Sequence, residues 1–215
     1  MLIWQIDINN PEGPTHLLEA ITPVVVSGHQ SWRVTHYDTD PSTLATNEYD
    51  LYEIDASTLR PFRSVMQTSE FRLEIDFDEH TATLRKAAKD GNHVEKIPLT
   101  TEVKPEGPGF TVFVASLPLR EAYTTRHYIL DRWSGNGPSR LKQVTLRVIG
   151  RKRVPTAMGT KDVFEVETRA ADGSFRILEY VRASPPYYPL RMEYTRDSKT
   201  IVSEVTSMIL QYPED

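Results

Sequence analysis

The sequence predicts an all-β fold with two short helices: a strongly curved antiparallel sheet forming an unclosed half-barrel, with the helices over its concave side. Three observations predict it. Segments with period-2 alternation, such as Ser31–Tyr37, Tyr49–Asp55, Phe71–Phe77 and Ile201–Leu210, recur along most of the chain. Their links are too short for parallel crossovers, so the strands form meanders. The hairpins that can be registered have one apolar face and one polar face, and a sheet of about a dozen such strands must curl.

The elements follow in order. Residues 1–27 read as an N-terminal arm with a short helix, because Leu17, Leu18 and Ile21 share a helical face ahead of Pro23. Around a turn between Asp40 and Thr46, Trp32, Val34 and His36 are expected opposite Glu53, Leu51 and Tyr49. A turn near Thr68-Ser69 pairs Met66 with Phe71 and Ser64 with Leu73, and sets Arg63 against Glu74 on the polar face. Phe110, Phe113, Val114 and Leu117 fall at helical spacing and Pro118 stops the run, which gives the second helix. Asp172-Gly173 suits a two-residue type I′ turn that pairs Thr168 with Ile177, Val166 with Glu179 and Phe164 with Val181. The 215 residues are read as a single half-barrel domain over 1–215.

Composition narrows the chemistry. There is no cysteine, which excludes disulfides and thiolate metal sites. The six histidines, at 16, 29, 36, 80, 93 and 127, show no metal-ligand spacing, and no metal or cofactor is expected. Phosphate-cradle, nucleophile-elbow and zincin motifs are missing, and the glycines of PEGPG (105–109) and SGNGP (134–138) read as turns. The net charge of −5 argues against a nucleic-acid partner. Residues 1–107 carry nine Lys and Arg against eighteen Asp and Glu, whereas residues 108–215 carry sixteen against twelve. The acidic run Asp38–Asp55 and the basic run Arg120–Arg153 read as solvated outer faces, and truncating Lys142 is expected to be nearly neutral. The start, MLIWQIDI, lacks the positive charge of a secretory signal. No run approaches the roughly 20 apolar residues of a membrane span. The expected location is cytoplasmic, or exported if a signal precedes the chain.

Polar residues on apolar faces are the candidates for function. Glu179 falls among Ile177, Val181, Phe164 and Val166, where burial would raise its pKa. His36 and Glu53 are placed on an aromatic-rich face with Trp32 and Tyr49. The expected ligand-binding set is Trp32, His36, Tyr49, Glu53, Met66, Phe71, Tyr123 and Glu179. His36, Glu53 and Glu179 would be the acid–base residues if the protein is an enzyme. Arg63 and Arg33 read as surface residues, and Tyr187-Tyr188 as a rigid loop at a rim or strand end.

The stretches SWRVTHYD (31–38), YDLYEIDASTLRPFRS (49–64), VASLPLREAY (114–123), VTLRVIGRKRVP (144–155) and TKDVFEVE (160–167), with the closing PLRMEYTRDSKTIVSEV, carry a family likeness. Over residues 28–211 the chain resembles a bacterial family of unknown function placed near the outer-membrane lipoprotein carrier fold. The resemblance implies an unclosed antiparallel barrel whose relatives carry acyl chains or other greasy ligands; it assigns no catalytic residue. The expected function is to bind or carry a hydrophobic or amphipathic small molecule or lipid in the concave face. The alternatives are an isomerase, cyclase or hydrolase using the same cavity, and a structural or protein-interaction module.

Overall fold

Alternation of β-branched and aromatic residues with polar ones carries through into the structure as one long antiparallel ladder. The computed structural model describes residues 2–10, 13–39, 46–132, 140–185 and 187–210. The strands are β1 (Leu2–Asn10), β2 (Gly13–Val26), β3 (His29–Thr39), β4 (Thr46–Asp55), β5 (Pro61–Thr68), β6 (Phe71–Phe77), β7 (Thr81–Ala88) and β8 (Gly91–Pro98). Helix α1 (Pro108–Ala115) follows, then β9 (Thr124–Asp131), β10 (Arg140–Val154), β11 (Lys161–Ala170), β12 (Phe175–Arg182), β13 (Pro189–Arg196) and β14 (Lys199–Leu210). Every strand pairs with its sequence neighbours except that β8 and β9 do not pair, and at one seam β1 also pairs with β14. The sheet edges are therefore β8 and β9, which are consecutive in the chain.

The residues linking those edges fill the gap. Val103 makes an isolated bridge to Tyr128, and Lys104 N–H donates to the Tyr128 carbonyl at 2.7 Å. Leu130 of β9 packs with Leu99, Val103, Ile97 and Ile75, so side chains close what the ladder leaves open. Register shifts at Gln5/Ile6, Asp38/Thr39, Glu53/Ile54, Val148/Gly150 and Tyr180/Val181 bend the strands and increase the twist that curls the sheet.

Helix α1 sits inside the curl. Pro108 opens it, and Ser116 closes it with its hydroxyl donating to the Val112 carbonyl at 2.7 Å. Its eight residues are too few to hold a helix alone; packing on two sides holds it. Phe110, Phe113 and Val114 meet Leu146, Val148, Phe164, Val166 and Val181, while Val112 meets Val34, Tyr52, Ile54 and Leu190.

The expected curved, unclosed antiparallel sheet is what forms, with one short helix over its concave side. The N-terminal segment differs: residues 17–21 belong to strand β2, and 1–27 is not an arm with a helix. Leu17, Leu18 and Ile21 satisfy a helical spacing, but Leu17, Glu19 and Ile21 alternate and are buried together while Leu18 is exposed. Pro23 stands within the strand, its missing donor tolerated opposite Trp32.

The β11–β12 register is as expected, Thr168 with Ile177 and Phe164 with Val181. Its turn is longer than two residues: Gly173 alone has a positive φ, and the Asp172 carboxylate accepts from the Ser174 N–H and hydroxyl. The β5–β6 hairpin is displaced by two residues, Met66 facing Leu73 and Ser64 facing Ile75. A shift of two preserves the faces, so Met66, Leu73 and Ile75 still share a core. The β3–β4 hairpin is displaced by one. Trp32 faces Ile54, Val34 faces Tyr52 and His36 faces Asp50, which moves Tyr49, Leu51 and Glu53 to the opposite side of the sheet.

Candidate functional site

Cross-strand rows on the concave face build a cavity of about 530 Å³ beside the N-terminal end of α1. On β2–β3–β4, alternation stacks Leu17, Asp38 and Glu48 in one row and Glu19, His36 and Asp50 in the next. On β11–β14 the facing rows are Val166, Glu179, Met192 and Ser203, and Thr168, Ile177, Tyr194 and Ile201. Phe110 and Thr111 of α1, with Ile129, Val144, Phe175 and Leu190, complete an apolar wall. One side of the cavity is thus rich in carboxylates and the other mostly aliphatic and aromatic.

Most of the buried charge is paired. Arg132, 1% exposed, places Nε 2.9 Å from the Glu106 carboxylate as an ion pair, donates from a terminal nitrogen to Asp50 at 3.3 Å, and lies 5.2 Å from the Tyr52 ring centroid. Asp131 receives Lys142 at 2.7 Å and Arg196 at 3.2 Å. His36 Nδ1 stands 3.5 Å from Glu19. Burial works against a charged His36, but the Glu19 contact, with Asp50 and Glu48, outweighs it and raises the imidazole pKa.

Three carboxylates lining the cavity, Asp38 and Glu48 on the acidic side and Glu179 on the facing one, make no ion pair within 4 Å among the described residues. Glu179 is 1% exposed, and its Oε2 has no hydrogen-bond partner there. Burial alone pushes its pKa up to about 8. Glu48 is raised to about 7, first by burial and then by Asp50 beside it. Burial raises Asp38 as well, with His36 pulling it back. The Thr168 hydroxyl and Asp38 Oδ1 are also buried without a partner there.

Of the eight sequence-derived candidates, His36 and Glu179 line this cavity. Glu53 lies on the opposite side of β4 and accepts from Arg33 at 2.6 Å. Tyr49 is on that side too, its ring 5.1 Å from Tyr37. Trp32 packs against the Val34 and Ile54 core, and Met66 and Phe71 belong to the β5–β8 core. Tyr123 packs with the α1 cluster beneath Arg120. Arg63 is on the polar face as expected, but its cross-strand partner is Asp76, and Glu74 lies diagonally at 3.5 Å. Tyr188 is a core residue rather than a rim. Lys142, read as solvated, is buried between Asp131 and the Ser174 hydroxyl, each at 2.7 Å.

Sequence reasoning missed Glu19, Asp38, Glu48, Asp50, Glu106 and Arg132. A signal for the acidic wall existed: Asp38, Glu48 and Asp50 lie at even positions, in phase with Val34 and Tyr52 once β3 and β4 are registered correctly. PEGPG likewise proves more than a turn. Gly107 has φ +54, and a Cβ there would stand 2.9 Å from the Tyr52 hydroxyl; one on Gly109 would stand 2.9 Å from Pro105. The two glycines let the start of α1 lie against Tyr52.

Among the described residues, no group of three or more His, Asp or Glu side chains is placed to hold a metal ion, and no helix is long and apolar enough to cross a membrane. A family model described as "Protein of unknown function (DUF3108)" matches residues 18–206. No curated protein matches the chain. Among solved structures, the chain is similar to a "Beta-barrel-like Protein of Domain of Unknown Function DUF1849" from Brucella abortus. The TM-score is 0.61 at 11% identity, over 98% of this chain and 97% of the other. That likeness is one of fold.

Proposed function

The chain belongs to the DUF3108 family, whose function is unknown, and we propose that it binds or carries an amphipathic small molecule in the concave cavity. The observation that carries this reading is the cavity itself. Its volume, about 530 Å³, suits a small ligand, and a mainly apolar wall faces a few polar groups able to orient one. Glu179, buried and without a partner among the described residues, is a polar group that a ligand would satisfy. The sequence resemblance to the lipoprotein carrier fold, whose relatives hold acyl chains, agrees with this reading.

Ile177→Trp tests it by filling the cavity from the apolar wall. The wild-type protein should bind a neutral environment-sensitive dye such as Nile red with micromolar affinity, about −8 kcal/mol, and Ile177→Trp should weaken that binding at least tenfold. Native mass spectrometry of protein purified from cells should show a co-purified small molecule. A chain that binds no dye and carries no added mass overturns the proposal.

A second reading, catalysis on a hydrophobic substrate, is favoured by His36, Glu48 and Glu179 titrating away from their ordinary values in one cavity. His36→Ala and Glu179→Gln would then abolish turnover and leave ligand binding largely intact.

A further inference from the structure

We propose that the ligand is a cationic amphipath, an alkyl or aryl ammonium whose charged head lies against the acidic wall and whose body covers the aliphatic one. This deepens the carrier reading and rests on it.

The argument is a charge inventory. Seven carboxylates line the cavity: Glu19, Asp38, Glu48, Asp50, Glu106, Asp131 and Glu179. The cationic side chains at the wall are already engaged. Arg132 is held by Glu106 and Asp50, Arg196 by Asp131, and Arg191 donates to Glu193 at 3.0 Å. His36 faces Glu19. Asp38, Glu48 and Glu179 are left over, with no cation within 4 Å among the described residues to offset them.

A carboxylate cluster alone would hold only water or protons. Here a second observation points to a ligand: Glu179 is almost fully buried, lines the cavity from the β12 side, and has an oxygen bonded to nothing in the described structure. A buried acceptor without a donor costs stability unless something fills its place. An ammonium group does so with charge-assisted hydrogen bonds, which are stronger than neutral ones. A fatty acid head at the β2–β4 side would meet Asp38 and Glu48, and the guanidiniums that line the cavity, those of Arg132, Arg191 and Arg196, each already face a carboxylate. Like charges in a partly desolvated site repel, so once Glu48 and Glu179 ionise, at about pH 7 and 8, the cavity disfavours anions.

The test compares three probes with the same chain: decyltrimethylammonium, decanol and decanoate, each titrated into the full-length protein by calorimetry at pH 8. The ammonium should bind at least tenfold more tightly than decanoate. Glu48→Gln/Glu179→Gln should lower ammonium affinity about tenfold and decanol affinity much less, and an unchanged circular dichroism spectrum and urea transition show that the variant is folded. Decanoate binding as tightly as the ammonium, or ammonium affinity unmoved in the variant, overturns the cationic class while the carrier reading stands. If none of the three probes binds, the carrier reading falls with it.

Discussion

The imidazole of His127 lies 4.6 Å from the ring of Phe113 and 6.0 Å from that of Phe110, so β9 and α1 meet through three rings tilted against one another. Both His127 nitrogens are buried without a hydrogen-bond partner among the described residues. Burial, helped by Lys104, lowers its pKa to about 4. In the unfolded chain the value returns to about 6.5, so protons bind the unfolded state preferentially between the two. The stability from neutral His127 is fully present above about pH 6.5 and is lost as the pH falls to about 4, up to about 3 kcal/mol. His127→Phe should flatten the pH dependence of the urea midpoint across that window; an unchanged slope removes His127 as its source.

Glu179 has the opposite sign. Its folded pKa, about 8, lies above an unfolded value of about 4.5, so the folded state holds the proton more tightly. The stabilising contribution is fully present below about pH 4.5 and is lost as the pH rises through 8. Glu179→Gln should therefore be more stable than wild type at pH 9, by roughly 2–4 kcal/mol, and little different at pH 5. Thermal unfolding of both proteins at the two pH values decides it.

Gly107→Ala should destabilise the protein by roughly 1–3 kcal/mol, since it combines a positive φ with a Cβ driven into the Tyr52 hydroxyl and the Arg132 guanidinium. Gly173→Ala has a positive φ but open space around it, so it should cost less, about 1 kcal/mol. Equal urea midpoints for the two variants would mean that α1 does not depend on its close approach to Tyr52.

Leu73→Ala empties part of the β5–β8 core and should cost roughly 2–5 kcal/mol. Lys142→Ala should be clearly destabilising, roughly 2 kcal/mol, because Asp131 keeps Arg196 but loses its 2.7 Å partner in a buried setting. Arg85→Ala, whose ion pair with Asp76 is exposed, should change stability by less than about 1 kcal/mol. If the lysine variant behaves like the Arg85 one in equilibrium unfolding, the Lys142–Asp131 pair adds nothing.

How far the sequence could be read depended on how each turn announced itself. At Asp172-Gly173 the turn residues centre the hairpin, and clear alternation on both strands makes any other register bury charge; Glu179 was placed correctly as a result. Between β3 and β4 no short turn fixes the centre, both faces carry aromatics, and bulges at Asp38/Thr39 and Glu53/Ile54 break the count. A one-residue slip there exchanged Glu53 for Asp50 at the cavity and turned the acidic wall outward. The β1–β14 seam joins segments at opposite ends of the chain, and no local pattern encodes it. The cavity's pairing of Arg132 with Asp50 likewise spans distant segments and follows only from the curl of the whole sheet.

The seam has a consequence for the order of events during synthesis. Leu2 finds Leu210 across the ladder, about two hundred residues later, so one flank of β1 stays bare until β14 has left the ribosome. The meander from β1 to β8 needs only neighbouring segments and can assemble as it emerges. Closing the seam carries the entropy of the longest loop in the molecule, which makes it the slow event and the one most exposed to pairing with another chain. A nascent polypeptide stalled before β14 would present a ready strand edge to its neighbours on the same message.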